Sequence, residues 1–187
     1  MIELSAGKRV LNIGCCGSDA LRRSNWVHTA IGEASSYCLG VDIFEAGIEK
    51  MRAAGQNVAV GNAENLNLGD VFDLVILGDV IEHVANPGLV FDSANRHLTT
   101  GGLVAATTPN PFSLTLMLKR LFRNSSTVNS EHVVWFDAVL LSWLMERCDF
   151  EVEEVLWTEA SRWPPLRLLQ KRRKDLHGVF GVIARKL

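Results

Sequence analysis

The 187 residues include one tyrosine and five prolines, and nowhere is there an apolar run of about eighteen residues. No segment is therefore a candidate for a membrane-spanning helix, and residues 1–8 lack the apolar core of a signal peptide. An excess of either charge is also missing. Nineteen basic and twenty-one acidic side chains leave a net charge of −2, so no global positive field exists to collect nucleic acid or an anionic membrane. The four cysteines, Cys15, Cys16, Cys38 and Cys148, show no C-x-x-C spacing, and neighbours such as Cys15 and Cys16 are poorly suited to a structural bridge. They read as free thiols in a reducing compartment, and a cytoplasmic location is expected.

What remains has the composition of a folding globular chain. Hydrophobic residues make up 48% and charged residues 21%, enough for one core, and a single domain over 1–187 is expected. Short apolar runs alternate with helical patterns, the signature of an α/β sheet covered on both faces. Strands are expected at 9–13, 37–42, 57–60, 72–77 and 103–107, with helices beginning near Asp19, Glu45 and Pro87. Thr108-Pro109-Asn110-Pro111 is a stop signal, with Asn110-Pro111 read as a turn. Residues 112–130 mix apolar and basic side chains and read as an excursion over the carboxyl edge of the sheet. A helix over 136–147, a strand over 151–157, a Pro164-Pro165 loop and a last strand over 178–184 complete the pattern. Lys171-Arg172-Arg173-Lys174 reads as a solvated loop, and His28 as a packing residue.

Open α/β sheets bind ligands outside the carboxyl ends of their strands, where strand order reverses. The first strand is followed by Gly14-Cys15-Cys16-Gly17, a turn of small residues that lets backbone approach a ligand. The second ends at Asp42, whose two acceptor oxygens match a ribose diol. A nicotinamide fingerprint fails, because Cys16 and Asp19 occupy the second and third glycine positions of G-x-G-x-x-G counted from Gly14. A Tyr-x-x-x-Lys pair fails as well, since Tyr37 is followed four residues later by Val41.

Five pieces in order carry a resemblance. They are Val10-Leu11-Asn12-Ile13-Gly14-Cys15, Gly40-Val41-Asp42-Ile43, Gly61-Asn62-Ala63-Glu64, the run from Phe72 to Val84, and Thr100-Gly101-Gly102 leading to Thr107-Thr108-Pro109-Asn110. Together with Glu131-His132-Val133-Val134-Trp135-Phe136, they resemble the class I S-adenosylmethionine-dependent methyltransferases, in particular the small group similar to the ubiquinone-biosynthesis O-methyltransferases. The resemblance implies a Rossmann-like seven-stranded sheet of order 3-2-1-4-5-7-6 with the last strand antiparallel and helices on both faces. It also implies S-adenosylmethionine as cofactor, S-adenosylhomocysteine as product, and a small-molecule acceptor methylated on oxygen. Residues 112–130 are then the expected lid, with Trp135, Phe136 and the 162–173 loop as further walls.

By the same resemblance the turn Asn12, Gly14, Cys15, Cys16, Gly17 would hold the methionine part of the cofactor. Asp42 and Ile43 would hold the ribose, Asn62, Ala63 and Glu64 would border the adenine, and Gly78, Asp79 and Val80 would face the sulfonium. The family usually has an acid at the position of Asn12 and a second glycine at that of Cys16. These departures keep open a binding domain that has the fold without the catalysis. Asp79, Glu82 and His83 are spaced i, i+3, i+4, so a helix there would put them on one face. His83 is the expected base, oriented by Asp79 and Glu82. A metal-free site is the favoured expectation; a divalent metal, if held, would use Asp79, Glu82, His83 and His132. An RNA 2'-O-methyltransferase with such a metal is the remaining alternative, although the charge gives no strong nucleic-acid signal.

Overall fold

The computed structural model describes residues 1–17, 21–22, 26–123, 129–158, 160 and 164–187. Five parallel strands come first: β1 (Arg9–Ile13), β2 (Tyr37–Asp42), β3 (Val58–Val60), β4 (Phe72–Gly78) and β5 (Leu98–Pro109). They are followed by β6 (Phe150–Thr158) and β7 (Val179–Lys186). The seven form one sheet of order β3-β2-β1-β4-β5-β7-β6, as expected, with β7 antiparallel to both β5 and β6. Strand order reverses beside β1, between β2 and β4, which puts the ligand crevice beyond Ile13, Asp42 and Gly78.

Alternation along the strands divides the core in two, because successive side chains point to opposite faces. Leu11, Leu77, Val104, Ala106, Val182 and Ala184 pack on one face with Val90 and Phe91 of α3 (Pro87–Arg96) and Leu141 and Met145 of α5 (Ala138–Arg147). Val10, Leu74, Ile76, Ala105 and Ile183 point the other way, onto Ile31 of α1 (Val27–Ala34) and the Leu4 turn. A third cluster joins Cys15, Cys16 and Trp26 to Ile48 and Met51 of α2 (Glu45–Ala53). Strands buried on both faces are why these runs lack polar alternation in the sequence.

Two expectations are corrected, those for Pro164-Pro165 and for Lys171 to Lys174, and two other segments are specified further. The helix expected from Asp19 falls partly outside the described residues, and the described helix is α1, which starts at Val27. Within 112–130 lies a helix, α4 (Leu114–Arg123), started by buried Ser113, whose hydroxyl accepts from the Leu116 amide at 3.4 Å. Pro164-Pro165 is no loop but the first turn of α6 (Pro164–Arg172), where proline's fixed φ and missing N–H are tolerated. Lys171 and Arg172 accordingly end that helix, and Lys174 opens a 3-10 turn, Lys174–Leu176.

The Asn110-Pro111 turn is present. The Asn110 side chain accepts from the Phe112 amide at 2.9 Å and donates to the Asp175 and His177 carbonyls at 2.7 and 2.8 Å. One buried side chain thereby ties the end of β5 to the approach to β7.

Candidate active site

Two cavities meet at the carboxyl edge. The larger, about 1040 Å³, runs over the ends of β1, β2 and β4, and every residue expected at the cofactor lines it: Asn12, Gly14, Cys15, Cys16, Gly17, Asp42, Ile43, Asn62, Ala63, Glu64, Gly78, Asp79 and Val80. Gly14 and Gly17 have φ of 77° and 68°, which favour glycine, whereas Cys16 is spared that strain. A Cβ at Gly14 would run into the Val80 side chain. The Asp42 carboxylate is fixed by the amides of Cys16 and Phe44, which donate to it at 2.9 and 3.0 Å. Asn12 is buried and its side-chain amide meets His28 Nδ1 at 3.2 Å, so this asparagine is held by α1. His28 also lies 3.7 Å from Cys38 Sγ, and burial lowers its pKa. At the far end, Asn62 caps the 3-10 turn Ala63–Asn65, and Glu64 accepts from the Asn86 amide at 2.7 Å.

The smaller cavity, about 250 Å³, has apolar walls from Pro109, Pro111, Leu116 of α4, Val134 and Trp135. Arg120 of α4 stacks over Trp135 at 4.9 Å, joining two of its walls. Its polar groups are Glu82, Thr108, Asn129 and His132, and Glu82, Pro109, Asn129 and His132 line the larger cavity too. The two spaces therefore share a boundary at Glu82.

The helix that would put Asp79, Glu82 and His83 on one face does not form. Asp79 takes a φ of 52°, the chain turns at 81–83, and α3 begins only at Pro87. The three side chains consequently take different partners, and Asp79 stands apart from the other two. Asp79 accepts from the Thr107 hydroxyl at 3.2 Å. Exposed His83 brings Nδ1 to 3.2 Å from the Glu131 carbonyl, and its ring meets His132 edge-on at 4.6 Å. Glu82 turns inward and is 1% exposed, with Oε2 accepting from Thr108 at 3.1 Å and Oε1 without a partner among the described residues. The amides of Val133 and Val134 donate to the Glu82 carbonyl at 2.9 and 3.3 Å, strapping the His132 segment over it.

These surroundings set the electrostatics. Burial pushes the Glu82 pKa up to about 7; its own backbone amide and Thr108 oppose the rise, and the Asp79 charge adds to it. Burial and the neighbouring His83 lower that of His132, against Asp79 and Glu131. Ligand atoms of Glu82, His83 and His132 lie within 4.8 Å of one another, a donor set that suits a hard or borderline divalent cation; Asp79 falls outside it.

Sequence reasoning missed Trp26, Phe44 and Thr108. Trp26 and Phe44 border the larger cavity, and the Trp26 Nε1–H is buried without a partner among the described residues. Neither belongs to a recognisable motif. Thr108 lies within a quoted motif, but its partner is twenty-six positions away.

Comparison with known proteins fits this geometry. The sequence profile of a family described as "Methyltransferase domain" matches residues 2–155. A probable S-adenosylmethionine-dependent methyltransferase of Mycolicibacterium smegmatis is 29% identical over 157 residues, covering 81% of this chain and 55% of that protein. The ubiquinone biosynthesis O-methyltransferase of Nitrobacter winogradskyi is 32% identical over 111 residues, 56% of this chain and 40% of that protein. The chain thus spans about half the length of these relatives. A solved methyltransferase from Archaeoglobus fulgidus superposes with a TM-score of 0.70 at 19% identity, over 98% of this chain and 88% of that one, and shows the shared fold. With the profile spanning β1 through most of β6, the chain belongs to the methyltransferase domain family and has its class I fold.

Proposed function

We propose that this protein transfers a methyl group from S-adenosylmethionine to an oxygen of a small-molecule acceptor, with Glu82 as the group that takes the acceptor's proton. The observation that carries the reading is the position of Glu82, which lines both cavities and has one carboxyl oxygen without a partner among the described residues. The larger cavity has room for a nucleoside with an amino-acid tail, with Asp42 for the ribose hydroxyls and the Gly14 turn for the tail. When bound there, the cofactor supplies an activated methyl group on a sulfonium that departs as a neutral thioether.

The protein's share is placement and proton removal. An acceptor in the smaller cavity is held by apolar walls and can aim a hydroxyl at Glu82 Oε1. A carboxylate with a pKa of about 7 is well matched to a base working near neutrality. As the new C–O bond forms, the hydroxyl proton passes to Oε1, and Thr108 keeps the carboxyl in register through Oε2. His83, the base expected from sequence, is exposed and paired with a backbone carbonyl. That favours Glu82 in the role. The name of the Nitrobacter relative supports an oxygen acceptor. Glu82→Gln, assayed over a panel of hydroxyl compounds, tests the reading: turnover should fall about a hundred-fold or more while cofactor affinity holds. Full activity would remove Glu82 from the reaction.

A second reading rests on the clustered donors of Glu82, His83 and His132. A divalent cation held there would lower the pKa of a bound hydroxyl. Activity lost on chelation and restored by magnesium or zinc would support it; chelator-insensitive turnover would overturn it.

A further inference from the structure

Where the turn after β1 meets the end of β2 in the larger cavity, two thiols that the proposed reaction does not use stand beside Asp42. The Cys15 and Cys16 sulfurs and a carboxylate oxygen of Asp42 all lie within 4.8 Å of one another. Each sulfur is backed by a glycine: a Cβ on Gly40 of β2 would stand 2.8 Å from Cys15 Sγ, and one on Gly47 of α2 would stand 2.9 Å from Cys16 Sγ. Two different elements thus leave room for the two thiols. The Cys16 amide also donates to Asp42, fixing carboxylate and thiol relative to each other.

We propose that Cys15, Cys16 and Asp42 form a binding site for a thiophilic divalent cation of the zinc class, and that a cation there excludes the nucleoside end of the cofactor. The site stands on its own geometry, whereas the exclusion rests on the cofactor reading given above. Two sulfurs and one carboxylate oxygen are a donor set that borderline-soft cations prefer. Tetrahedral zinc wants sulfurs about 3.8 Å apart, a separation inside the 4.8 Å spread of these donor atoms. The fourth position would face the cavity. As each metal–sulfur bond forms, its thiol releases a proton to solvent, so one cation displaces two protons and nothing is oxidised or reduced. Without a cation, burial holds both thiols neutral, which suits their packing against Ile48 and Met51. Adjacent cysteines have no zinc-site spacing in the sequence; the third donor comes from the neighbouring strand.

Cadmium titration of the reduced protein, followed by the ultraviolet thiolate-to-cadmium absorption, provides the test. One cadmium per chain is expected, displaced by zinc. Cys16→Ser and Asp42→Asn should each weaken binding by about ten-fold or more, the Cys15→Ser/Cys16→Ser double variant should lose the band, and Cys148→Ser should leave it unchanged. If the double variant does not fold, Cys16→Ser alone carries the test. Cadmium saturation should lower S-adenosylhomocysteine affinity by at least about ten-fold. An unchanged band in the variants, or one lost in Cys38→Ser instead, would overturn the site. Equal S-adenosylhomocysteine binding with and without cadmium would overturn the exclusion. Absence of S-adenosylhomocysteine binding to metal-free protein would defeat the cofactor reading and leave the cation site standing.

Discussion

Thr108 donates its hydroxyl to Oε2 of Glu82 at 3.1 Å, while Oε1 of the same carboxyl, in a residue that lines both cavities, is buried without a partner among the described residues. A threonine on β5 thereby engages a carboxylate on the turn after β4.

Turnover should follow the ionisation of Glu82. With a pKa of about 7, kcat/KM is expected to rise through neutrality and level off above pH 8. In Thr108→Val the carboxyl loses a donor that favours its charged form, so the midpoint should move to higher pH. A pH–rate profile identical in the two proteins would rule out this coupling.

The same carboxyl should limit stability. Its folded pKa, about 7, lies above the ordinary 4.5, so between these values the folded state binds more protons and stability falls as pH rises. The charge left at pH 8 costs at most about 3 kcal/mol. Glu82→Gln should therefore raise Tm at pH 8 and leave it nearly unchanged at pH 4.5. Equal shifts at both values would mean that the gain is not electrostatic.

Asp42 should anchor the cofactor. Loss of a charge-assisted hydrogen bond is worth roughly 1.5 to 3 kcal/mol, so Asp42→Ala is expected to weaken S-adenosylhomocysteine by about ten- to a hundred-fold in calorimetry. Unchanged affinity would move the ribose elsewhere.

Asn12→Asp should act through His28. The present amide faces Nδ1 at 3.2 Å, and a carboxylate there would offset the burial that lowers the His28 pKa. An NMR titration should show His28 gaining its proton at higher pH than in the wild type. A curve that did not move would mean the two side chains part in the variant.

Gly40 should resist substitution. An added Cβ would press on Cys15 Sγ and His28 Cε1, both at 2.8 Å, and on Val58 at 2.9 Å. Gly40→Ala is expected to cost about 1–3 kcal/mol in urea unfolding, whereas Gly69→Ala, which meets no neighbour, is strained only by its φ of 68°.

Legibility followed the physics of each element. The inner strands could be read because burial on both faces leaves unbroken apolar runs, as in Val10 and Leu11 or Leu74 to Leu77. β5 starts five residues earlier than expected, since Thr99 to Gly102 interrupts its apolar pattern. α4 carries Leu114, Met117, Leu118 and Leu121 at helical spacing, but its basic residues and the nearby polar tract obscured them. The Glu82 neighbourhood was the least legible. Its direction depends on a turn with no periodicity, a hydroxyl from β5 and a strap at 133–134, contacts that only the tertiary fold assembles.

The placement of β7 between β5 and β6 also sets a timetable for synthesis. β6 leaves the ribosome first but pairs with nothing except β7 among the described residues. Until β7 emerges, the growing chain presents β5 as an open edge and β6 as a loose ribbon, the kind of surface on which nascent chains pair with one another. Closure of the sheet thus waits on the long-range pairing of β7 with both neighbours.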